Sequence, residues 1–502
     1  MRAAERARPG PAGRSRIQPR DAGRSRAWAA SARRLVPGIA LVLSLLPHAA
    51  WANFWDLYGM GPRAMGMAGA STAVADDFSA VFYNPAALTT SRASGYGFGF
   101  AGSFPSLSVK LDNPMPAYAP ADPPAASSLW FGTHFTIAGD RATNRVAMAL
   151  AFSLPTRSLL SGQALDPAIP QWYMYQALPE RLVLMLGLGV KPVDWLSVGM
   201  GLQILAGLSG KLDYELDVVA GRFSKKSVTF DIIPTAAPTL GLELRPLKGL
   251  RIGATYRAPI STAVDLPVLL KVTGLADLDV TTRFVVQYNP HQVVWGVSYT
   301  FDEPSLLLSA DLEWALWAEA PDPAVDSRID AGGELLEGTG LAGALDTPAP
   351  GQERSVNLGF RNTFIPKFGV EWRVRMFMLR AGYSIRPSPA PVQTSGANFI
   401  DGTAHHFALG ATARVKDPWG LLANPLLLEV GGALYFLPPR HHQKIDPSDP
   451  EGSYDASGMI GVFGGGIRYL FGEERLEDAP GQAAPAETLP PLRGTPPPGS
   501  SG

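Results

Sequence analysis

Between residues 94 and 471 the chain repeatedly alternates apolar positions with small or polar ones. Val293, Trp295, Val297, Tyr299 and Phe301 fall on one side of the alternation, and Val294, Gly296, Ser298 and Thr300 on the other. Leu306, Leu308, Ala310, Leu312, Trp314 and Leu316 alternate with Leu307, Ser309, Asp311, Glu313, Ala315 and Trp317. Phe377, Leu379, Ala381, Tyr383 and Ile385 do the same against Met378, Arg380, Gly382, Ser384 and Arg386. Successive side chains of a strand point to opposite faces, so a period of two predicts β-strands with unlike faces. Two features separate these stretches from the strands of a soluble sandwich. They run to about 10–13 residues, where strands of globular proteins average roughly 5–6. Their apolar face ends in Trp, Tyr or Phe, as at the interfacial girdles of membrane barrels, while the other face is small and polar, as a lumen is. The pattern predicts an all-β fold, a transmembrane antiparallel β-barrel.

Strands are read near 94–104, 127–138, 144–154, 181–191, 195–212, 226–244, 249–260, 291–301, 305–318, 356–374, 376–386, 404–415, 425–437 and 458–471. These are fourteen, and single-chain bacterial barrels have even numbers. The connections alternate short and long, the long ones being 105–126, 155–180, 213–225, 261–290, 319–355, 387–403 and 438–457. Short turns on one side and long loops on the other describe an outer-membrane barrel with periplasmic turns. Both ends of the barrel chain then lie on the periplasmic side. Within 261–290, a further strand is the weakest point of the count.

One stretch before the strands breaks the alternation. Arg63 to Leu88 is rich in Gly and Ala, carries Asp76-Asp77 and closes on Asn84-Pro85-Ala86. It is neither a strand nor an amphipathic helix, and we read it as a plug inside the barrel. Gly66, Gly69 and the alanines allow close backbone packing. Asn84-Pro85 has the form of a helix start, with Asn as cap and Pro at the first position. Asp76 and Asp77 are expected to pair with lumenal arginines such as Arg257 or Arg380, and Glu371 is a further lumenal charge.

No apolar run reaches the ~18 residues of a membrane helix. Leu35 to Leu46 is better read as the apolar core of a signal peptide covering residues 1–52, with Ala50-Trp51-Ala52 as cleavage site. The whole chain has 43 basic and 44 acidic residues; residues 1–52 hold ten arginines and two acids, leaving 33 against 42, a net charge of −9. A net acidic chain gives no reason to expect nucleic acid. With no cysteine, disulfides and thiolate metal sites are excluded.

Signals for catalysis are weak. There is no G-x-S-x-G, no H-E-x-x-H and no Walker loop. His405-His406 and His441-His442 are adjacent, and strand neighbours point apart, so neither pair chelates alone; we read both as loop residues. No cofactor and no metal site is expected. The last strand carries Gly466, Tyr469 and Phe471 in the manner of a barrel-assembly signal, and Gly472 to Gly502, with seven prolines, reads as a disordered periplasmic tail. The expected organisation is signal peptide 1–52, plug 53–92, barrel 93–471 and tail 472–502.

The plug stretch resembles the start of the FadL/TodX-type long-chain fatty-acid and hydrocarbon transporters of the outer membrane. The matching residues are Phe54-Trp55, Arg63 to Ala70, Asp76-Asp77 and Asn84-Pro85-Ala86. Downstream, Tyr256-Arg257-Ala258-Pro259-Ile260, Phe368-Gly369-Val370-Glu371-Trp372 and Leu379-Arg380-Ala381-Gly382-Tyr383 resemble strand ends of the same family. Ala87 stands where the family usually has Gly, and the tail beyond Phe471 is a departure. The resemblance implies a fourteen-stranded barrel with an N-terminal hatch and passive uptake of a hydrophobic small molecule or fatty acid. It also implies a Gram-negative outer membrane, with lipopolysaccharide and membrane lipid around the barrel and the barrel-assembly machinery as a partner during biogenesis. A monomer is expected. By position, the candidate ligand path includes Phe54, Trp55 and Leu57, loop residues Trp172, Tyr173 and Tyr175, and Leu266 and Leu269. The alternative is a non-transporting scaffold, since the PorV-type barrels of a secretion system resemble the same Gly/Ala and Asn-Pro-Ala pattern.

Overall fold

The computed structural model describes residues 54–91, 93–112, 123–137, 145–156, 169–176, 182–217, 222–272, 276–321, 326–332, 359–394, 398–416, 422–445 and 452–471. The expected signal peptide and tail lie outside these residues. Fourteen strands form the barrel wall: β1 Ser94–Leu111, β2 Ala126–Ile137, β3 Val146–Pro155, β4 Val183–Val193, β5 Leu196–Asp217, β6 Arg222–Leu247, β7 Leu250–Arg257, β8 Gln292–Phe301, β9 Leu306–Ala315, β10 Thr363–Val374, β11 Phe377–Arg386, β12 Ala404–Val415, β13 Leu426–His442 and β14 Tyr454–Phe471. Each is antiparallel to the next. The sheet closes where β14 pairs with β1, from Ser94 opposite Phe471 to Leu111 opposite Tyr454. Closure removes the two unpaired edges that an open sheet would expose to lipid.

The alternation read from the sequence is the alternation of the wall. Trp295, Val297 and Tyr299 are 45%, 44% and 41% exposed on the outer face, while Val294, Gly296 and Ser298, which alternate with them, are buried. On β9, Leu308 and Leu312 point out and Ser309, Asp311 and Glu313 point in. Large apolar side chains outside and charged ones inside invert a soluble protein and suit a hydrocarbon solvent. Trp195, Phe301, Trp372 and Phe377 ring the short-turn end. Among the described residues, no helix is long and apolar enough to cross a membrane.

Several bounds differ from the sequence reading, mostly because strands continue past their apolar faces. β1 runs on to Leu111, β13 to His442, and β14 begins at Tyr454. β5 and β6 extend to 22 and 26 residues, absorbing most of the supposed loop 213–225. The 261–290 region is a hairpin, Ile260–Val272 with Ala276–Asn289, but it stands outside the barrel ring, because β7 pairs directly with β8. β9 stops at Ala315, and Trp317 turns inward in a short 3-10 helix. β10 begins at Thr363 rather than near 356. His405 and His406 belong to β12, and His441 and His442 to the end of β13, so they are not loop residues.

Candidate functional site

The segment before β1 folds as three short helices, α1 Phe54–Tyr58, α2 Pro62–Met65 and α3 Ala80–Tyr83, and a 3-10 helix Pro85–Thr90. Pro62 and Pro85 open their helices, where a missing N–H costs nothing. Asn84 has extended backbone, and its Oδ1 accepts from the Ala86 N–H at 3.2 Å.

This segment occupies the lumen, and the wall makes room for it with glycine. Twelve of the fourteen strands turn a glycine toward it; β3 and β9 do not. A β-carbon at Gly199 would lie 2.2 Å from the Ala86 nitrogen, one at Gly241 2.3 Å from Asn84 Oδ1, and one at Gly382 2.3 Å from the Met67 carbonyl carbon. Several of these glycines stand opposite one another across the ladder: Gly199 with Gly241, Gly253 with Gly296, Gly369 with Gly382, and Gly410 with Gly431. Glycine in a strand is weakening unless another backbone must come close. Here one does, around nearly the whole circumference.

Polar groups fix residues 71–90. The carboxylate of Asp311 on β9 accepts from the Ser71 and Thr72 N–H groups, both at 2.9 Å. Asn84 donates to Thr72 O at 3.1 Å and to Leu242 O on β6 at 3.0 Å. Thr255 donates to Tyr83 O, Ser298 to Ala73 O, and Arg251 to Val74 O and Ala75 O. Arg245 donates to Thr89 Oγ1, which also bonds the Ser197 hydroxyl.

Toward β10–β14 the contacts are ionic. Arg63 reaches Asp76 Oδ1 at 2.5 Å and Glu371 Oε2 at 2.9 Å. Glu371 also holds Arg380 at 2.7 Å and Arg373 at 3.1 Å. Arg380 donates to Thr412, whose hydroxyl donates to Glu429. Glu429 pairs with Arg468, and Arg468 with Asp77, which brings the path back beside Asp76. Burial alone would push the Asp77 carboxyl up; Arg468, Arg63 and the two donors of Ser79 outweigh it and hold it at about 2.

Between this segment and the far loops lies a chamber. Trp55, Tyr58, Tyr175, Trp317, His406 and Tyr435 give it aromatic walls, and Arg257, Lys367 and Arg386 face it together with Asp56 and Glu313. Its free volume is about 100 Å³. The far loops cover it by folding inward. Gln171-Trp172 pairs in parallel with Phe399-Ile400, and all four are buried. Tyr173, at the start of helical turn α4 Tyr173–Gln176, packs edge-on against Phe360 at 5.0 Å and Phe399 at 6.1 Å, with Trp317 beside it. Lys367 is tied to Glu313 at 2.7 Å, and Arg386 donates to Tyr175 Oη at 2.5 Å. The Nε1 of Trp55 and the Nε2 of His406 are buried without a hydrogen-bond partner among the described residues. Asp56, partly open to the chamber but enclosed by the barrel, is pushed up to about 6 by loss of water, against the pull of Arg257.

The residues singled out in the sequence fall in different places. Gly66, Gly69, Asp76, Asp77, Asn84, Pro85 and Ala86 all lie in the lumen segment, and Arg257, Glu371 and Arg380 face it from the wall. The expected pairing of the two aspartates is corrected: their partners are Arg63 and Arg468, because Arg380 is taken by Glu371, while Arg257 bonds Gln292 and lies near Glu313. Trp55, Leu57 and Tyr175 line the chamber; Trp172 and Tyr173 belong to its cover. Leu269 is not among the described chamber residues, and the side chain of Leu266 lies outside the described residues; the backbones of the two pair with Asp279 and Thr282 respectively in the hairpin outside the ring. Phe54 opens α1, and its side chain lies outside the described residues. The sequence reading missed Arg63, Asp311, Glu313, Lys367, Arg386 and Arg468. For the strand residues the available signal was an ionisable residue at an inward position of an alternating strand.

The chain is 25% identical over 459 residues to the alkane uptake protein A of Marinobacter nauticus, an alignment covering 87% of this chain and 95% of that one. Its fold is similar to the crystal structure of a Pseudomonas aeruginosa FadL homologue, with a TM-score of 0.52 at 15% identity over 84% of this chain and 98% of the other. The Ralstonia pickettii toluene transporter TbuX aligns over 83% of this chain and 100% of its own, with a TM-score of 0.46 at 16% identity. No family model matches.

Proposed function

We propose that this chain, a FadL/TodX-type barrel, is an outer-membrane channel for passive uptake of hydrophobic compounds. The observation that carries the reading is a closed fourteen-strand wall whose lumen is filled by its own N-terminal segment, with an aromatic chamber next to that filling. A water-filled pore resists an apolar solute, because opening a cavity in water is what the hydrophobic effect penalises. A filled barrel with an internal aromatic chamber instead offers a dry route in stages. The similarity to the Marinobacter alkane uptake protein over nearly its full length supports the same reading.

A free volume of about 100 Å³ is small beside the roughly 300–1,000 Å³ of ligand pockets. The chamber must therefore widen for a long-chain guest, and the N-terminal segment acts as a hatch that shifts to widen it. The Trp55 N–H, buried without a partner among the described residues, favours a guest with an oxygen acceptor at one end, a fatty acid over a bare alkane. The test is replacement of Asn84-Pro85-Ala86 by three serines in a barrel that still assembles. Saturable uptake of radiolabelled oleate is expected to be lost, with hexadecane a weak competitor in the parent protein. Unchanged uptake in the variant contradicts the hatch.

A further inference from the structure

We infer that the acidic stretch Glu473–Asp478, just past the last strand, docks on the basic part of the barrel's own short-turn rim, formed by the β10–β11 turn and the end of β12. The inference stands apart from the channel reading, and transport plays no part in its test. The buried ionic path under this part of the wall balances, with Arg63, Arg373, Arg380 and Arg468 against Asp76, Asp77, Glu371 and Glu429. Outside that path, Arg375, Arg414 and Lys416 stand against Asp417 in the sequence. Two-residue hairpin turns favour Gly or Asn where φ is positive. The β10–β11 turn instead carries Arg375, with φ 52. Arg375 and Lys416 are exposed, and neither has an ion pair among the described residues. Met376 beside Arg375 is 45% exposed, and its carbonyl accepts from the Arg414 N–H at 2.8 Å, which ties the turn to β12.

The chain beyond Phe471 is complementary to this rim. Glu473, Glu474, Glu477 and Asp478 stand against a single Arg475, with Leu476 among them as an apolar counterpart for Met376. The strand register sets the distance to be spanned. Tyr469 pairs with Leu426, and Leu426 with Val415. The pair Phe377–Ala413 then places the β10–β11 turn one strand further along, level with Val415. Three strand spacings come to about 14 Å. Counted from Tyr469, extended chain brings Glu473 to about 14 Å and Glu477 to about 28 Å, so the acids bracket the cations. Exposed ion pairs are weak singly and are screened by salt. A tether this short holds the partner at millimolar effective concentration, which lets a few such pairs suffice. The docked stretch is then a strap along the rim that high salt releases.

The chain has no cysteine, so spin labels go only where cysteines are introduced. Ser305→Cys marks the rim, since its carbonyl accepts from the Arg373 N–H, and Ala479→Cys marks the far end of the acidic stretch. The doubly labelled protein in phosphatidylcholine vesicles is measured by double electron–electron resonance, diluted with unlabelled parent. One narrow distance distribution is expected at about 0.1 M salt, where the screening length is about 10 Å, and a broad one at about 1 M, where it is about 3 Å. Arg375→Gly/Lys416→Gln is expected to give the broad distribution at both salts. Glycine suits φ 52, so this variant keeps the turn. Lys416→Arg is expected to keep the narrow one. A distribution broad at low salt in the parent, or a narrow one indifferent to salt and to the rim variant, overturns the inference. A narrow distance that disappears on dilution places the stretch on a second copy and overturns it too. So does a broad distribution joined to loss of phosphatidylglycerol binding in the rim variant, which assigns the rim to lipid.

Discussion

Trp295 and Gly296 are neighbours in β8 and live in different worlds. Trp295 is 45% exposed on a face shared with other large apolar side chains. Gly296 faces the lumen, where an added β-carbon would sit 2.8 Å from that of Thr72. The same contrast repeats around the barrel. Outside, what matters is that a side chain be apolar; its shape has no fixed partner to match. Inside, each position answers to one particular neighbour, a carbonyl, a carboxylate or the next turn of the filling. One strand thus carries two kinds of information, a loose one about solvent and a strict one about contact.

The largest effect should come from putting a charge on the loose face. Phe368, 54% exposed in the middle of β10, is expected to cost about 2–4 kcal/mol as Phe368→Arg, measured by urea unfolding in bilayers, whereas Phe368→Leu should be nearly silent. Next comes the strict face. In Gly241→Val the new β-carbon would collide with Asn84, and overpacking of this kind costs about 1–3 kcal/mol. The expected readout is an unseated filling and a steady ion current in planar bilayers that the parent lacks. Asn84→Ala leaves Thr72 O and Leu242 O without their donor, about 1–3 kcal/mol, and protease should then reach the segment from the short-turn side.

The smallest effect is a pH dependence. Asp56 is raised from 3.8 to about 6 in the folded barrel, so folding favours its protonated form. Its contribution is complete at pH values below 3.8 and is lost as pH rises through about 6. Amides of α1 should exchange more slowly on the acid side of that window. Asp56→Asn should remove the dependence, and a dependence that survives it contradicts the assignment.

The loose information is what a sequence displays. Period two, the count of fourteen strands and the short and long connections follow from apolarity alone; the wall agrees in the first two, and departs from the third between β5 and β6, whose strands absorb most of the expected long connection 213–225. Strand ends were less legible, because β5 and β6 continue as a paired ladder after leaving the apolar zone, where no alternation marks them. The strict information depends on which strands meet the filling and at what height. The lumen segment could be recognised as the stretch that fits no strand, yet its partners could not. Asp76 and Asp77 turn to Arg63 and Arg468 because the obvious candidate Arg380 is spoken for on its own wall by Glu371. Asp311 looked like one inward charge among several, and only the fold shows it holding two backbone amides. Single glycines carried little meaning until the register set them side by side.

The most direct test is to reconstitute the parent protein and record oleate entry into vesicles alongside ion current in planar bilayers. A filled barrel with an internal chamber predicts saturable oleate entry above protein-free vesicles together with no steady current. Entry no faster than in protein-free vesicles, or a steady ohmic current, would contradict it.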